Sequence, residues 1–240
     1  MKKIIVGNWK CNPTSLNRAQ KLFNLAKRGI KKIKNIEVVI CSPFIYLPAF
    51  QQLENQTIKL GAQNCFWEER GAFTGEISPL MLKDLRCKYV ITGHSERRAL
   101  GETDGMINKK LKAILKEKLT PILCIGENER ERKKGETFKI LKNQLKKDMK
   151  DIEHVLKFIV AYEPIWAIGT GNPCLPEIAK KVLVFLKKIL WKTPVLYGGS
   201  VNSQIAKDYI DAGFDGLLVG GASLKTKEFI KIVKQSTNID

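Results

Sequence analysis

The residues of this 240-residue chain best suited to chemistry are polar side chains that come at the ends of short apolar runs. Lys10 comes just after the run KIIVGN, His94 follows YVITG, and Glu163 ends FIVAYE. At one rim, an ammonium, an imidazole and a carboxylate can hold, polarise and deprotonate a substrate. We therefore predict an enzyme that abstracts a proton from a carbon beside a carbonyl group.

Two of these residues have predicted roles that follow from their immediate neighbours. Pro164 disfavours helix directly behind Glu163, so the carboxylate is expected at the strand end as a general base, with pairing to a nearby arginine as the structural alternative. His94 stands before SERR, where Ser95 is predicted to cap a short helix whose dipole keeps the imidazole neutral. The chain's other histidine, His154, precedes a strand in DIEHVLKF and is interpreted as surface or structural.

Two glycine-rich turns predict a phosphate-binding site. Gly198-Gly199-Ser200 and Gly220-Gly221-Ala222-Ser223 follow the last two apolar runs. Glycine lets an oxyanion approach backbone N–H groups closely, and barrel enzymes frequently bind phosphate with the loops after strands seven and eight. One glycine pair would be a weak signal, but two at these positions favour a phosphorylated substrate.

The segment directly after the predicted base has the composition of a lid. Residues 164–173, PIWAIGTGNP, have an apolar middle, a proline near each end, and glycines at 169 and 171. A passive surface loop would seldom expose Trp166 and Ile168. We therefore predict a rigid tip that moves on two hinges and excludes water from the reaction.

The elements that must position these residues are eight apolar runs, several of them nearly continuous in Val, Ile and Leu, as in buried parallel strands. Amphipathic segments separate them. In PEIAKKVLVFLKKIL, one face is predicted to hold Ile178, Val182, Phe185, Leu186 and Ile189, with Pro176 in the first turn. The runs are KIIVGN from Lys3, EVVICS from Glu37, IKLGAQ from Ile58, YVITG from Tyr89, TPILCI from Thr120, FIVAYE from Phe158, PVLYG from Pro194 and GLLVG from Gly216.

Eight strands alternating with helices predict an α/β fold, a (β/α)8 TIM barrel of eight parallel strands ringed by helices, because eight strands close a barrel at about this chain length. The competing fold is a doubly wound open sheet, but no GxGxxG follows the first strand. Since no linker-like segment divides residues 1–240, we predict a single barrel domain.

Composition narrows the class of protein further. Lys and Arg number 42 against 24 Asp and Glu, a formal net charge of +18, which attracts either polyanions or small phosphorylated substrates. No basic run interleaved with aromatic residues indicates a nucleic-acid surface. Six cysteines without a CxxC or Cys/His cluster predict neither a metal site nor disulfides. The short apolar runs predict no signal peptide and no membrane span, so we expect the cytoplasm.

These segments resemble the triosephosphate isomerase family, in its order and over nearly the whole chain. The motifs are GNWK, GAQNCFWEERGAFTGEIS, GHSERR, CIGE, YEPIWAIGTG, YGGSV and VGGASL. The resemblance implies interconversion of dihydroxyacetone phosphate and D-glyceraldehyde 3-phosphate, in glycolysis and gluconeogenesis, without a metal or organic cofactor. Glu163 would then move the proton through an enediolate, while neutral His94 polarises the carbonyl and shuttles protons.

The same resemblance implies roles for further residues. Lys10 would neutralise the substrate, with Asn8 hydrogen-bonding nearby and Glu96 orienting the ammonium. The phosphate would lie on the backbone amides of Gly169, Ser200, Gly220 and Gly221. The lid would comprise Pro164, Ile165, Trp166, Ala167, Ile168, Gly169, Thr170 and Gly171.

The family is typically dimeric, so a homodimer is expected. A protruding finger with its tip at Glu68 to Ala72 would enter the neighbour's pocket, with Thr74 beside the partner's active site and Cys11 near the partner loop.

Three features depart from the family pattern. The second lid hinge reads Asn172-Pro173-Cys174 in place of a lysine and small residues, which bears on lid kinetics. Ile205 stands where an asparagine is expected, so the local hydrogen bonding must differ. The chain is also slightly short.

Two other interpretations stay open at the level of sequence. One is a different phosphate-binding barrel enzyme, an aldolase or a sugar-phosphate epimerase. The other is a basic protein that binds polyanions.

Overall fold

In the computed structural model of the protein, the eight apolar runs form a closed parallel barrel, which confirms the predicted (β/α)8 fold. The structure describes residues 2–51, 58–152, 157–170, 173–190 and 192–237. Each strand pairs with the next in sequence, and the last pairs with the first. The strands are β1 (Lys3–Asn8), β2 (Ile36–Ser42), β3 (Ile58–Ala62), β4 (Tyr89–Thr92), β5 (Thr120–Ile125), β6 (Ile159–Tyr162), β7 (Val195–Tyr197) and β8 (Gly216–Val219).

The strands are apolar on both faces because each face meets a different part of the core. Alternate residues such as Ile4 and Val6 point into the barrel, where they meet Ile91 and Leu196 of other strands. The residues between them, such as Ile5, join the second core between the strands and the helices. Both faces are therefore excluded from water, and the sheet has no solvated side.

Helices surround the barrel, and several begin at a side chain that accepts a backbone hydrogen bond. Ser15, Ser78, Thr103 and Asn128 act in this way as N-caps. The α-helices within the described chain are α1 (Leu16–Ile30), α2 (Leu47–Gln51), α3 (Pro79–Asp84), α4 (Ser95–Ala99), α5 (Asp104–Lys116), α6 (Glu129–Lys133), α7 (Thr137–Asp148), α8 (Pro176–Leu190), α9 (Ala206–Asp211) and α10 (Thr226–Gln235). Among these helices, none has the length and apolar character to cross a membrane.

The predicted face of α8 is partly wrong. Val182 and Leu186 are buried as predicted, but Ile189 is exposed, and Ala179 and Leu183 are buried instead. The buried stripe is therefore rotated toward small Ala179, because a small residue lets the helix lie close to the barrel.

Candidate active site

Glu163 follows β6 at the carboxyl-terminal rim of the barrel, and its side chain is only 2% exposed. One carboxylate oxygen, Oε2, accepts a hydrogen bond from the backbone N–H of Ser95 at 2.9 Å. The other, Oε1, lies 3.1 Å from Nε2 of His94. The structure thus brings the predicted base and the predicted electrophile into direct contact.

Close backbone packing places Glu163 at this point. A Cβ on Gly126 would lie 1.7 Å from the carbonyl oxygen of Glu163, and one on Gly198 would lie 3.0 Å from its Cγ. Only glycine fits at position 126, since the neighbouring atom is backbone and cannot move aside. Behind the carboxylate, burial raises the pKa of the Cys124 thiol, and the Glu163 charge raises it further.

His94 is the N-cap of α4, so the prediction that Ser95 caps this helix is wrong. Its Nδ1 accepts a hydrogen bond from the backbone N–H of Glu96 at 3.2 Å. A nitrogen that accepts from an N–H carries no proton, so the ring proton lies on Nε2 and the imidazole is neutral. The N–H of Ser95 is used for Glu163 instead of for the helix. One short helix start therefore orients both groups.

Lys10 is held through its backbone as well as its side chain. It has a left-handed backbone with φ of 53°, and its N–H donates to Oδ1 of buried Asn8 at 3.0 Å. Its ammonium lies 2.7 Å from Oε1 of Glu96. Gln63 donates to the carbonyl oxygens of Lys10 and Cys41, both at 2.9 Å. Gln63 belongs to the motif GAQNCFW, but the sequence assigned this side chain no role.

One cavity of about 480 Å³ gathers most of the predicted site. Glu96 does not line it, because its side chain lies behind Lys10. Lys225, which the sequence did not single out, also lines it. Across the described chain, no three His, Cys, Asp or Glu side chains gather as metal ligands would. The predicted residues that line the cavity are Asn8, Lys10, His94, Glu163, Ile168, Gly169, Ser200, Gly220 and Gly221.

The turn after β8 places its glycines at the cavity and closes on itself. Gly221–Leu224 forms a 3-10 turn, and the hydroxyl of buried Ser223 donates to the carbonyl oxygen of Gly220 at 2.6 Å. A Cβ on Gly220 would lie 3.1 Å from Cε of Lys10, while one on Gly221 would meet nothing within 4 Å. At position 220 a side chain would therefore require a small shift of Lys10, whereas position 221 has open space.

The sequence model of the family named Triosephosphate isomerase matches residues 3–236. The chain belongs to this family. The triosephosphate isomerase of Dehalococcoides mccartyi is 47% identical to it over 248 residues, which cover 98% of this chain and 97% of that protein. Those of Aquifex aeolicus and Clostridium tetani are 45% and 44% identical, and the alignments cover 97% of this chain and 99% and 96% of the relatives. The chain is therefore an enzyme, an isomerase built on the TIM barrel.

The segment predicted to form the lid is anchored at its start. Residues Ile165–Ala167 form a 3-10 turn, and Trp166 and Ile168 are both half-buried. The indole N–H donates to Oε1 of Glu127 at 3.0 Å, and the Arg132 guanidinium lies 3.5 Å from the ring centroid. Glu127 belongs to the CIGE motif, but nothing local in the sequence pairs it with Trp166.

Two hydrogen bonds converge on the middle of the predicted lid. The hydroxyls of Ser200 and Thr170 donate to the carbonyl oxygen of Ala167 at 2.8 and 3.3 Å. Gly169 has a φ of 74°, which favours glycine there. Gly171 and Asn172 lie outside the described residues, as does His154. Beyond them, Cys174 is buried against the core.

Ile205 is accommodated by a neighbouring asparagine. Oδ1 of Asn202 accepts from the backbone N–H groups of Gln204 at 2.9 Å and of Ile205 at 3.2 Å. Ile205 itself packs partly against the core. The turn therefore keeps its amides paired although the residue at 205 departs from the family pattern.

The predicted finger is a loop closed at its base. The N–H of Phe66 donates to the carbonyl oxygen of Ile77 at 2.8 Å, and the Phe66 and Phe73 rings lie 4.8 Å apart. Thr74 lies at the exposed end of this loop, and Cys11 is exposed. Neither residue lines the cavity of its own chain.

Proposed function

We propose that the protein interconverts dihydroxyacetone phosphate and D-glyceraldehyde 3-phosphate, the reaction named by its family. The observation that carries this proposal is the group of three side chains at one cavity: the Glu163 carboxylate, the neutral His94 imidazole and the Lys10 ammonium. These are a base, a hydrogen-bond donor without charge, and a cation. Each contributes to proton transfer between adjacent carbons: the base removes the proton, and the donor and the cation stabilise the charge that develops on oxygen.

Glu163 removes the proton from the carbon beside the carbonyl and returns it to the neighbouring carbon. Gly126 packs against the Glu163 backbone and Gly198 against its Cγ, so the base of the side chain is held at the rim. His94 donates from Nε2 to the carbonyl oxygen, and the N–H of Glu96 at Nδ1 keeps that proton on Nε2. The uncharged imidazole can also release its proton to one enediolate oxygen and take another proton from the adjacent oxygen. In this way it moves protons between the two enediolate oxygens.

Lys10 stabilises the negative charge that develops on the enediolate, and Asn8 and Glu96 position it through its backbone and its ammonium. The substrate phosphate binds to the backbone N–H groups of Gly169, Ser200, Gly220 and Gly221. Lid residues 164–171 then close over the enediolate and keep it from eliminating phosphate. The closed site excludes water and restricts the conformations of the enediolate, and both effects suppress this side reaction.

Four further features belong to this proposal. The enzyme acts in glycolysis and gluconeogenesis, works in the cytoplasm, and forms a single domain over residues 1–240. It forms a homodimer in which Thr74 and Cys11 meet the neighbouring chain. None of the six cysteines, all of which lie within the described residues, forms a disulfide, which fits a reducing compartment.

A coupled assay tests the reaction. Purified protein is given glyceraldehyde 3-phosphate, and formation of dihydroxyacetone phosphate is followed by NADH oxidation through an added dehydrogenase. Turnover far above the rate without protein supports the proposal. Absence of turnover in folded protein would refute the assigned substrate.

A matched pair of variants tests the base. We expect Glu163→Gln to lower kcat by about 10²- to 10⁴-fold, the range of general-base catalysis, while the fold is retained. The control is Glu37→Gln. Glu37 contacts Tyr89 and lies at the start of β2, at the opposite end of the strand from the rim. If Glu163→Gln kept kcat within a few-fold of the parent, another residue would be the base.

A further inference from the structure

Two neighbouring helices carry a basic face that the isomerase reaction does not use. On α1 it consists of Arg18, Lys21 and Arg28, and on α10 of Lys227, Lys231 and Lys234, all exposed. The α10 residues follow the i, i+4, i+7 spacing of a single helix face, and the α1 residues the i, i+3, i+10 spacing. We call these six residues the α1/α10 basic face.

Gly29 brings the two rows of charge together. A Cβ on this residue would lie 2.1 Å from Cδ1 of Ile230 on α10, so the helices touch directly at this point. Helices in such contact have axes about 8 Å apart. The two rows therefore form one surface.

Carboxylates do not neutralise this face as they do elsewhere on the molecule. Residues 1–36 contain ten Lys and Arg and no Asp or Glu. Within the described chain, none of the six residues of the face forms an ion pair, whereas Lys133, Lys139 and Lys207 on other helices each do. The nearest carboxylate in sequence, Glu228, accepts hydrogen bonds from the backbone and hydroxyl of Ser203.

We propose that the α1/α10 basic face binds double-stranded nucleic acid through its phosphates, without sequence preference. A membrane surface fits less well, because membrane-bound helices insert an apolar face, and the apolar faces of α1 and α10 are buried at Phe23 and Phe229. Along α1 and α10, both of which the structure describes in full, no aromatic side chain is exposed to stack on single-stranded bases. Repeated cations along two adjacent helices match the regularly repeated phosphates of a duplex.

Fluorescence anisotropy with a labelled DNA duplex of roughly 20 bp tests this proposal on the full-length protein. The test variant carries Arg28→Gln, Lys231→Gln and Lys234→Gln. The matched control carries Lys133→Gln, Lys139→Gln and Lys207→Gln, which removes the same charge from ion-paired sites. Isomerase activity serves as the folding check for both, since none of these residues lines the cavity.

We expect the parent to bind with a Kd on the order of 1–100 µM at about 0.15 M salt. The test variant should bind at least about tenfold more weakly, with the slope of log K against log salt flatter by about 0.9 for each phosphate that the variant no longer neutralises. The control should stay close to the parent. An RNA duplex in the same assay identifies which nucleic acid is preferred, and binding of either supports the proposal.

Three results would overturn it. The parent could fail to bind either duplex at this salt concentration. The two variants could weaken binding equally, which would make net charge the cause. Vesicles containing phosphatidylserine could bind the protein in a face-dependent way while duplexes do not, which would assign the face to a membrane.

Discussion

Individual side chains at the rim are oriented largely by backbone N–H groups. The N–H of Glu96 determines the tautomer of His94, and the N–H of Ser95 holds one oxygen of Glu163. Such donors cannot change rotamer, so the relative positions of Glu163 and His94 depend on the path of the chain around α4. A substitution that shifts this short helix will therefore disturb both groups at once.

Thiol reactivity provides a prediction for single residues. Burial raises the pKa of Cys65 and of Cys174 to about 12 each, and it raises the pKa of Cys41 and Cys124 as well. Near pH 8 about one in 10⁴ of a thiol with that pKa is thiolate, and only the thiolate attacks a disulfide reagent. With a chromogenic disulfide we expect at most one fast-reacting thiol per native chain, Cys11, and six after unfolding. Two or more fast thiols in the native protein would contradict the described burial.

The lid and the rim couple neighbouring elements. Glu127, which follows β5, accepts hydrogen bonds from Tyr162 of β6 and from Trp166 of the lid. Ser200, which follows β7, bonds the lid from the other side. Burial raises the pKa of Glu127. The predicted lid is therefore held at Trp166 by Glu127, which follows β5, and at Ala167 by Ser200, which follows β7.

A pair of glycine substitutions tests how closely the strands approach. In Gly126→Ala the added methyl group meets the Glu163 backbone, so we expect a loss of about 1–3 kcal/mol or more in the free energy of unfolding. Gly105→Ala places the methyl group in the first turn of α5, where it meets only the Thr103 hydroxyl at 3.9 Å, so we expect a gain of about 0.5–1 kcal/mol from helix propensity. Urea unfolding measures both. Equal changes in the free energy of unfolding would mean that a methyl group at position 126 does not clash with the Glu163 backbone.

Much of the element pattern could be predicted from the sequence because buried strands are marked by local composition. The starts of β2, β6 and β7 differ from the predicted runs by one residue, and β3, β4, β6, β7 and β8 each end one residue earlier than predicted. At β7, Pro194 has no N–H to donate, although its carbonyl still accepts from Val160. The contacts of Gln63, Glu127 and Arg132 could not be predicted, because each joins residues that are distant in sequence or that lack a distinctive local pattern.

At the scale of the whole molecule, the charge of +18 should accelerate the encounter with an anionic substrate. We expect kcat/KM to fall several-fold as KCl rises from about 0.01 to 0.15 M, with kcat nearly unchanged, because salt screens attraction before binding. Sucrose at matched osmolality is the control and should not reproduce the effect. A parallel fall in kcat would instead indicate an effect on the bound state.

The assembly is also a property of the whole molecule. Ile45 is 77% exposed, Met81 50% and Phe73 44%, and such apolar residues favour contact with another chain. We expect sedimentation equilibrium to give twice the 27.2 kDa mass of the chain, and Phe73→Asp to shift the protein toward monomer. A parent that sediments as a monomer at assay concentrations would contradict the homodimer.

The barrel cannot close until its last strand has been synthesised. Strand β1 is made first, yet one of its two neighbours is β8, with Ile4 opposite Gly216. At a synthesis rate of about 5–20 residues per second, β1 waits roughly 10 to 40 s before that neighbour exists. Until then one row of its backbone donors and acceptors has no partner in the sheet. The nascent chain therefore passes through an open form whose first strand can pair with other chains. A ribosome-associated chaperone would be most effective against such pairing during this period.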